Sequence, residues 1–323
     1  MIQYFIVLKI FGQEDTGMIE NVTIVGAGAM GTMVGDAFVK LLGPEKVRFL
    51  ADGDRLARYQ AEGIYYNDAP CDFRFTDGSE GEIADLLIFA VKDPGLADAM
   101  DLAQSSVGRD TIILSLLNGT TSEETLGLRF GMDKVLYTVT RGMDPVRVDN
   151  TIVRRGEGGS IFVGIPQEDY FDQGEKLDTV VDFLAQAGLP VVKEPDILHI
   201  MWSKFMLNVG VNQVCMLCEL DYAGVQQPGP ARDMMIAAMN EVRKISACQG
   251  VLLTQKDLQE SLAVIDSLAP DSKPSMRQDG LAHRKTEVDM FAGAVMAMAD
   301  RFGMKVPVNQ EIYQKVKEME KTW

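Results

Sequence analysis

Apolar runs alternate with amphipathic segments along the first part of the chain, a pattern typical of strands alternating with helices. The run at 85–91 is continuously apolar, as expected of a strand that is covered on both faces. Strands joined by helices imply right-handed βαβ units and a parallel sheet. Strands are predicted at 21–25, 47–51, 85–91, 111–117 and 134–140, and the first two helices at 30–42 and 55–62.

The pattern changes in the second half of the chain. The runs at 151–155 and 160–164 flank a glycine-rich turn and predict an antiparallel hairpin that extends the sheet. After a run at 189–192 the periodicity is helical almost to the end, and Asp196 is a plausible N-cap for a long apolar helix to about residue 220. Further helices are predicted at 231–249, 255–268, 281–302 and 310–321.

These elements predict an α/β fold with a Rossmann-type doubly wound sheet in an N-terminal domain, 18–195, and an all-helical C-terminal domain at 196–323. Residues 1–17 are apolar but lack the small-residue cleavage site of a signal peptide, and Met18 is a second plausible start. We expect this stretch to be a start-site artefact or a loosely held extension, with an added edge strand as the alternative.

Composition narrows the function classes. The 323 residues carry a formal net charge of −16, which argues against a nucleic-acid partner, and no apolar run is long enough to predict a membrane span. An anionic substrate would need a local cationic site. With only two histidines, no metal site is predicted. Cys215 and Cys218 lie in an apolar run and are expected to be buried helical thiols, and a cytoplasmic protein is the simple interpretation.

A glycine motif follows the first predicted strand and opens the first predicted helix. In such a G-x-G-x-x-G sequence, the first glycine allows a tight turn, the second admits a pyrophosphate and the third lets the helix approach the strand. The free N–H groups of the helix then favour an anion. A bare tight turn is the alternative. The predicted cofactor-binding residues are Gly26, Ala27, Gly28, Ala29, Met30 and Gly31.

Asp52 stands at the end of the second predicted strand, where a carboxylate would bond the ribose hydroxyls of NAD and repel a 2′-phosphate. Arg55, three residues further on, could offset that repulsion for NADP. The alternative is that Asp52 is a turn residue in an Asp-Gly pair.

A narrow polar stripe crosses the long apolar helix. Lys204, Asn208 and Asn212 are spaced i, i+4 and i+8, which places them on one face. Because a lysine in a buried helix must be paired or line a cavity, the stripe predicts the floor of a polar pocket. The alternative is a snorkelling lysine beside two satisfied core amides.

Two further segments look unremarkable on composition alone, which predicts a loop at 274–279 followed by a solvated helix. In that interpretation Glu287 pairs with His283 or Arg284 on the surface.

Taken together, these motifs resemble the ketopantoate reductase family over roughly residues 18–323. The resemblance implies that 18–195 is a dinucleotide-binding domain and that 196–323 is the helical domain that carries the substrate and catalytic residues. The likeness rests on the glycine motif, on Val91-Lys92, on Leu117-Asn118-Gly119, on the stripe from Lys204, and on the block from Ser275 to Asp289. It implies that Lys204 donates a proton and that Glu287 contacts the cofactor and supports the reaction. It also implies that Asn118 meets the nicotinamide end of the cofactor, that Lys92 lies in the cleft, and that the substrate ligands are Asn208, Asn212 and Ser275. The alternatives are a solvated strand-end lysine at Lys92 and a plain turn at Asn118.

The resemblance implies NAD(P)H-dependent reduction of a 2-oxo acid, foremost 2-dehydropantoate to pantoate in pantothenate synthesis. It implies NADP as cofactor, although Asp52 stands where many relatives carry Arg and so allows NAD. Gln213 stands where the family commonly has proline, and Tyr222 falls near the position where many relatives carry another substrate-binding asparagine. Burial should lower the pKa of Lys204 towards neutrality. A related dehydrogenase for another 2-oxo or 3-hydroxy acid and a non-catalytic dinucleotide sensor stay open, as does a homodimer.

Overall fold

The predicted strands are present with small shifts at their ends, and the structure adds short strands that the sequence analysis did not predict. The structure, a computed structural model, describes residues 18–143, 145–154, 158–166 and 172–323, so the expectations for 1–17 and Arg155 lie outside the described residues. In chain order the strands are Val22–Val25 (β1), Val47–Leu50 (β2), Tyr65–Tyr66 (β3), Ala69–Pro70 (β4), Arg74–Thr76 (β5), Leu86–Phe89 (β6), Ile112–Ser115 (β7), Val135–Arg141 (β8), Val146–Val148 (β9), Thr151–Val153 (β10), Ser160–Gly164 (β11) and Val191–Lys193 (β12).

The main sheet has the order β12-β11-β8-β7-β6-β1-β2-β5. From β5 to β8 all neighbours are parallel, whereas β11 runs antiparallel to β8. The strand order reverses at β1, which pairs with β2 on one side and β6 on the other. A reversal of this kind opens a crevice at the carboxyl ends of the strands, where dinucleotides bind. The predicted α/β fold class, with its doubly wound sheet and helical C-terminal part, is confirmed.

A second, small sheet has the order β4-β3-β10-β9, and it corrects the predicted hairpin. Only β11 joins the main sheet, because β10 pairs with β9 and β3 instead. Ile152 of β10 is fully buried with Met33 and Val34 of the first helix. For so short a strand, this burial decides which sheet it joins.

The helices are Ala29–Leu42 (α1), Gly53–Glu62 (α2), Leu96–Ala103 (α3), Ser122–Phe130 (α4), Gly174–Gln186 (α5), Ile197–Leu217 (α6), Ala223–Gln226 (α7), Pro230–Cys248 (α8), Gln255–Ser267 (α9), Ser275–Leu281 (α10), Ala294–Arg301 (α11) and Pro307–Glu320 (α12), with a π-helix at Asp289–Gly293. Asp196 caps α6 as predicted, since its side chain accepts a hydrogen bond from His199 N. Cys215 is buried in α6, but Cys218 lies beyond the helix end and is exposed, which corrects that expectation.

The predicted helix at 281–302 is wrong over its first turns. Residues 275–281 form α10 rather than a loop, and the chain from 282 to 288 is not helical. The helix α10 ends where His283 takes a left-handed φ of +48°. A tertiary contact holds the non-helical segment that follows, since Thr286 N and Oγ1 donate to Glu320 Oε1 at 2.8 and 2.6 Å.

Glu123, in the first turn of α4, is a carboxylate with almost no solvent exposure. The Ser122 hydroxyl donates to it at 2.8 Å, yet burial raises the pKa of Glu123 to about 7. The folded chain therefore holds this proton more tightly than the unfolded chain. Stability is then fully present below about pH 4.5 and falls as the pH rises towards about 7.

We predict that Glu123→Gln raises the free energy of unfolding at pH 8 by about 3 kcal/mol and changes it little at pH 4.5, because the amide has no charge to bury. Urea unfolding at the two pH values measures this. The control is Glu124→Gln, since Glu124 is exposed in the same helical turn. An equal effect of Glu123→Gln at both pH values would contradict the prediction.

Candidate active site

The glycine motif forms a tight loop between β1 and α1, against the end of β6. Gly26 has φ +107°, and a Cβ there would lie 2.7 Å from Ala90 O. A Cβ on Gly31 would lie 2.0 Å from Gly26 O, so the helix packs on the loop as the motif requires. Gly28 is the N-cap of α1 and makes no side-chain capping bond. The first turn of α1 thus presents backbone N–H groups at the crevice, which suits a pyrophosphate.

Asp52 is exposed at the N-cap of α2, without a side-chain capping bond. It lines an open depression of about 390 Å³ together with Gly53, Asp54, Arg55 and Arg58. Arg55 is therefore on the same surface as Asp52. Arg58 is an additional cation that the sequence analysis missed.

Arg147, on β9, is a second cation that the sequence analysis missed. Its Nη1 donates to Ala27 O of the glycine loop at 2.9 Å. Arg147 and Arg58 both contact the Tyr59 ring, with guanidinium carbons 5.8 and 5.4 Å from its centroid. They also line an adjoining depression of about 540 Å³. No local pattern could have found Arg147, which is 120 residues from Ala27.

Lys92 follows β6 and reaches across to the helical part of the chain. Its Nζ lies 2.6 Å from Asp279 Oδ2 on α10, and Arg284 approaches the other oxygen at 2.9 Å. The Asp279 side chain is only 3% exposed, whereas that of Lys92 is 56% exposed. Asp279 was part of the motif quoted above, but its place between two cations was not foreseen.

Glu287 lies in the non-helical segment before the π-helix and is 7% exposed, so the surface alternative for it is wrong. Burial and the charge of Asp279 raise its pKa, whereas the charges of Lys92 and Lys204 and a hydrogen bond with Asn118 lower it. Burial is the largest effect, so the net shift is upward. Lys92, Asn118, Asp279 and Lys204 are thus the groups whose charge or hydrogen bonding acts on Glu287.

Asn118 follows β7 in a loop that packs on the π-helix. At the adjacent Gly119, φ is +100°, and a Cβ would lie 3.3 Å from Met290 Cγ. Only glycine adopts this φ readily at so close an approach. The loop is thereby held against the segment that carries Glu287.

Lys204 lies on α6 between buried neighbours and is itself half-buried. Its Nζ donates to Thr140 Oγ1 of β8 at 3.3 Å. Asn208 is half-buried and Asn212 is buried one and two turns further along the same face. Thr140, which holds the lysine from the sheet, gave no signal in the sequence.

Ser275 begins α10 and is exposed, one turn before Asp279 on the same helix face. The structure thus brings Lys92, Asn118, Lys204 and Glu287 together, and it places Asp52 with the arginines near the other end of the crevice. Among the described residues, no cluster of His, Cys, Asp or Glu could hold a metal ion. Within the same residues, no helix is long and apolar enough to span a membrane.

Comparisons with known proteins agree with this arrangement. The family model described as "Ketopantoate reductase PanE/ApbA" matches residues 22–167, and that of its C-terminal part matches 196–320. A 2-dehydropantoate 2-reductase of Archaeoglobus fulgidus is 26% identical over 304 residues, which is 94% of this chain and 98% of that protein.

Solved structures show the same fold at lower identity. D-mandelate dehydrogenase with NADH and anilino(oxo)acetate has a TM-score of 0.83 at 22% identity and covers 94% of this chain and 98% of its own. A PanE/ApbA family ketopantoate reductase of Ralstonia eutropha has a TM-score of 0.80 at 22% identity, with coverage of 94% and 99%. A dimeric ketopantoate reductase of Staphylococcus aureus has a TM-score of 0.78 at 17% identity, with coverage of 94% and 99%.

The dinucleotide crevice and these matches define the chain as an NAD(P)-dependent oxidoreductase that acts on a small molecule. It belongs to the ketopantoate reductase family.

We predict that Asp279→Asn lowers the free energy of unfolding by about 1–3 kcal/mol, because two charge-assisted hydrogen bonds to a buried group are weakened. Guanidinium chloride unfolding measures the loss. The control is Asp178→Asn, whose ion pair with Lys193 is exposed and should be worth less than about 1 kcal/mol. Equal losses in the two variants would contradict a special role for the buried pair.

Proposed function

We propose that the chain reduces 2-dehydropantoate to pantoate with NADPH and that Lys204 is the proton donor. The observation that carries the proposal is the cluster at the mouth of the crevice. Lys92 Nζ lies 2.6 Å from Asp279 Oδ2, and the charges of Lys92 and Lys204 both oppose the upward shift in the pKa of buried Glu287. The cluster provides the local cationic site that an anionic substrate needs in a chain of net charge −16.

In this proposal, the glycine loop and the first turn of α1 would hold the dinucleotide, which when bound would supply a hydride to the carbonyl carbon of the oxo acid. The carbonyl π electrons move to oxygen, and Lys204 Nζ neutralises the resulting alkoxide by donating a hydrogen bond and then a proton. Thr140 accepts a hydrogen bond from Nζ and so orients it. Lysine suits this role better than arginine, which does not release its proton at these pH values.

The remaining polar groups are assigned to binding. Asn208, Asn212 and Ser275 are neutral side chains that can donate hydrogen bonds to the substrate carboxylate and hydroxyl. Asn118 and Lys92 stand at the carboxyl ends of β7 and β6, where the nicotinamide end of the cofactor would lie. Glu287 contacts this group of residues from the helical part and supports the reaction.

NADPH is proposed because Arg55 and Arg58 share the surface of Asp52. Two guanidinium groups can offset the carboxylate next to a 2′-phosphate. NADH is the alternative if Asp52 faces the ribose.

A substrate panel tests the proposal. We expect the largest kcat/KM with 2-dehydropantoate. The competing substrates are phenylglyoxylate and pyruvate, measured like 2-dehydropantoate by NADPH oxidation, and a 3-hydroxy acid, which is assayed in the oxidative direction. Phenylglyoxylate is included because D-mandelate dehydrogenase, which shares this fold, was solved with an oxo acid that carries an aromatic group. A higher kcat/KM for another acid would replace the substrate but keep the reaction class. No turnover with any of these acids, with NADPH or with NADH, would contradict both.

We predict that Lys204→Ala lowers kcat by about 10²–10⁴ while the protein stays folded, because the variant lacks the general acid. The measurement is steady-state NADPH oxidation, with circular dichroism to confirm folding. Lys193→Ala, which removes an exposed lysine of β12, is the control and should keep the original kcat. Activity of Lys204→Ala within a few-fold of the original would rule out the proton-donor role.

For the cofactor, the measured quantity is kcat/KM with NADPH divided by kcat/KM with NADH. We predict that Asp52→Arg raises this ratio by about tenfold or more, and a tenfold change corresponds to about 1.4 kcal/mol. We predict that Arg58→Ala lowers the same ratio. Electrostatic attraction to the 2′-phosphate is the reason in both cases. Arg129→Ala, at an exposed ion pair with Asp101, is the control. If neither substitution changes the ratio, the depression around Asp52 is not the ribose site.

A further inference from the structure

The π-helix at Asp289–Gly293 leaves one backbone donor without a partner in its own segment. Phe291 N donates to Glu287 O at 3.0 Å in the α-helical manner, and Gly293 N donates to Val288 O at 3.0 Å across one more residue. Ala292 N lies between them and bonds neither Glu287 O nor Val288 O. It donates instead to Gln213 Oε1 on α6 at 2.9 Å.

Gln213 is fully buried, and its amide is bonded on both sides. Its Nε2 donates to Val209 O at 2.8 Å and to Asn309 Oδ1 at 3.2 Å. Turning the side chain would break these bonds and the bond from Ala292 inside the core, where an unpaired polar group is costly. The side chain is therefore fixed in one orientation.

The bond joins the two segments that carry the proposed chemistry. Gln213 lies nine residues after Lys204 on the same helix, and the Glu287 carbonyl accepts from Phe291 N, one residue before Ala292. Besides the apolar packing of the two segments, this polar bond from a side chain outside the pocket ties the π-helix to α6.

We propose that Gln213 is a positioning residue that sets the place of Glu287 relative to Lys204, a role that rests on the function proposed above. A displacement of about 1 Å in such a site can reduce the rate by up to about 10²-fold. The role needs only the oxygen acceptor opposite Ala292 N, not the shape of the side chain.

Two variants separate the acceptor from the packing. Gln213→Met keeps the length and apolar packing but has no strong acceptor, and we expect kcat to fall about tenfold with the KM for NADPH within about twofold. Gln213→Glu keeps an oxygen opposite Ala292 N and loses N–H donors in the core. It should melt at a lower temperature but retain most of kcat.

The control is Glu241→Gln at the far end of the same buried network. Glu241 accepts from Val308 N, Asn309 N and Asn309 Nδ2, and it does not contact Gln213 or Ala292 among the described hydrogen bonds. It should lower the melting temperature and leave kcat unchanged. If kcat follows the melting temperature across the three variants, Gln213 is only structural and the proposal is overturned.

A second readout does not depend on the substrate. The Glu287 carboxyl is titrated by carbon NMR of glutamate-labelled protein and assigned by the loss of its signal in Glu287→Gln. Its pKa should move in Gln213→Met and stay in place in Glu241→Gln. If the titration of Glu287 is unchanged in Gln213→Met, the positioning role is overturned, whichever substrate the enzyme uses. Absence of turnover in the unmodified protein contradicts only the proposed function. If one of the two Gln213 variants does not fold, the other still tests the positioning role.

Discussion

Two buried carboxylates govern how the sheet and the helical part of the chain meet. Asp279 and Glu287 both come from the helical part, and a buried charge is tolerated only when it is paired or loses its charge. Asp279 is paired with Lys92 from the end of β6, so the ion pair is also a contact between the two parts. Glu287 stays buried beside the two lysines with a raised pKa. The charges that allow this contact to form are the charges that line the proposed site.

The sheet brings the remaining groups to the same place because its parallel strands end at one edge. The glycine loop follows β1, Lys92 follows β6 and Asn118 follows β7, and these strands are neighbours in the sheet. The order reverses at β1, so the loops after β1 and β6 leave in different directions and the crevice opens between them. These loops can be short, because the order of the strands in the sheet already makes them adjacent.

The strands of the main sheet could be predicted because β6 and β7 are apolar on both faces, a local property. The small sheet could not be predicted, because the three residues of β10 are too few to show a periodicity that would indicate their partner strand. The break after Leu281 was missed because residues 282–288 contain neither glycine nor proline, the usual signals of a helix end. The helix ends at the left-handed φ of His283, and the distant carboxylate of Glu320 then holds Thr286 outside a helix. The same division holds for the site. The stripe from Lys204 follows from helix geometry, whereas Asp279 pairs with a lysine 187 residues away.

The helix α6 contacts both the pocket and the core of the helical part. It is apolar nearly all around, so each polar side chain on it must either line the pocket or be bonded in the core. Asn212 continues the stripe of Lys204, and Gln213, one residue later, is turned by about 100° and leaves the pocket face. On that side its amide is bonded to Val209, Asn309 and Ala292. A satisfied buried amide adds little net stability, because its bonds replace bonds to water, but it disfavours every other packing of the π-helix. One face of α6 therefore presents the polar groups, and the neighbouring face fixes the segment that must meet them.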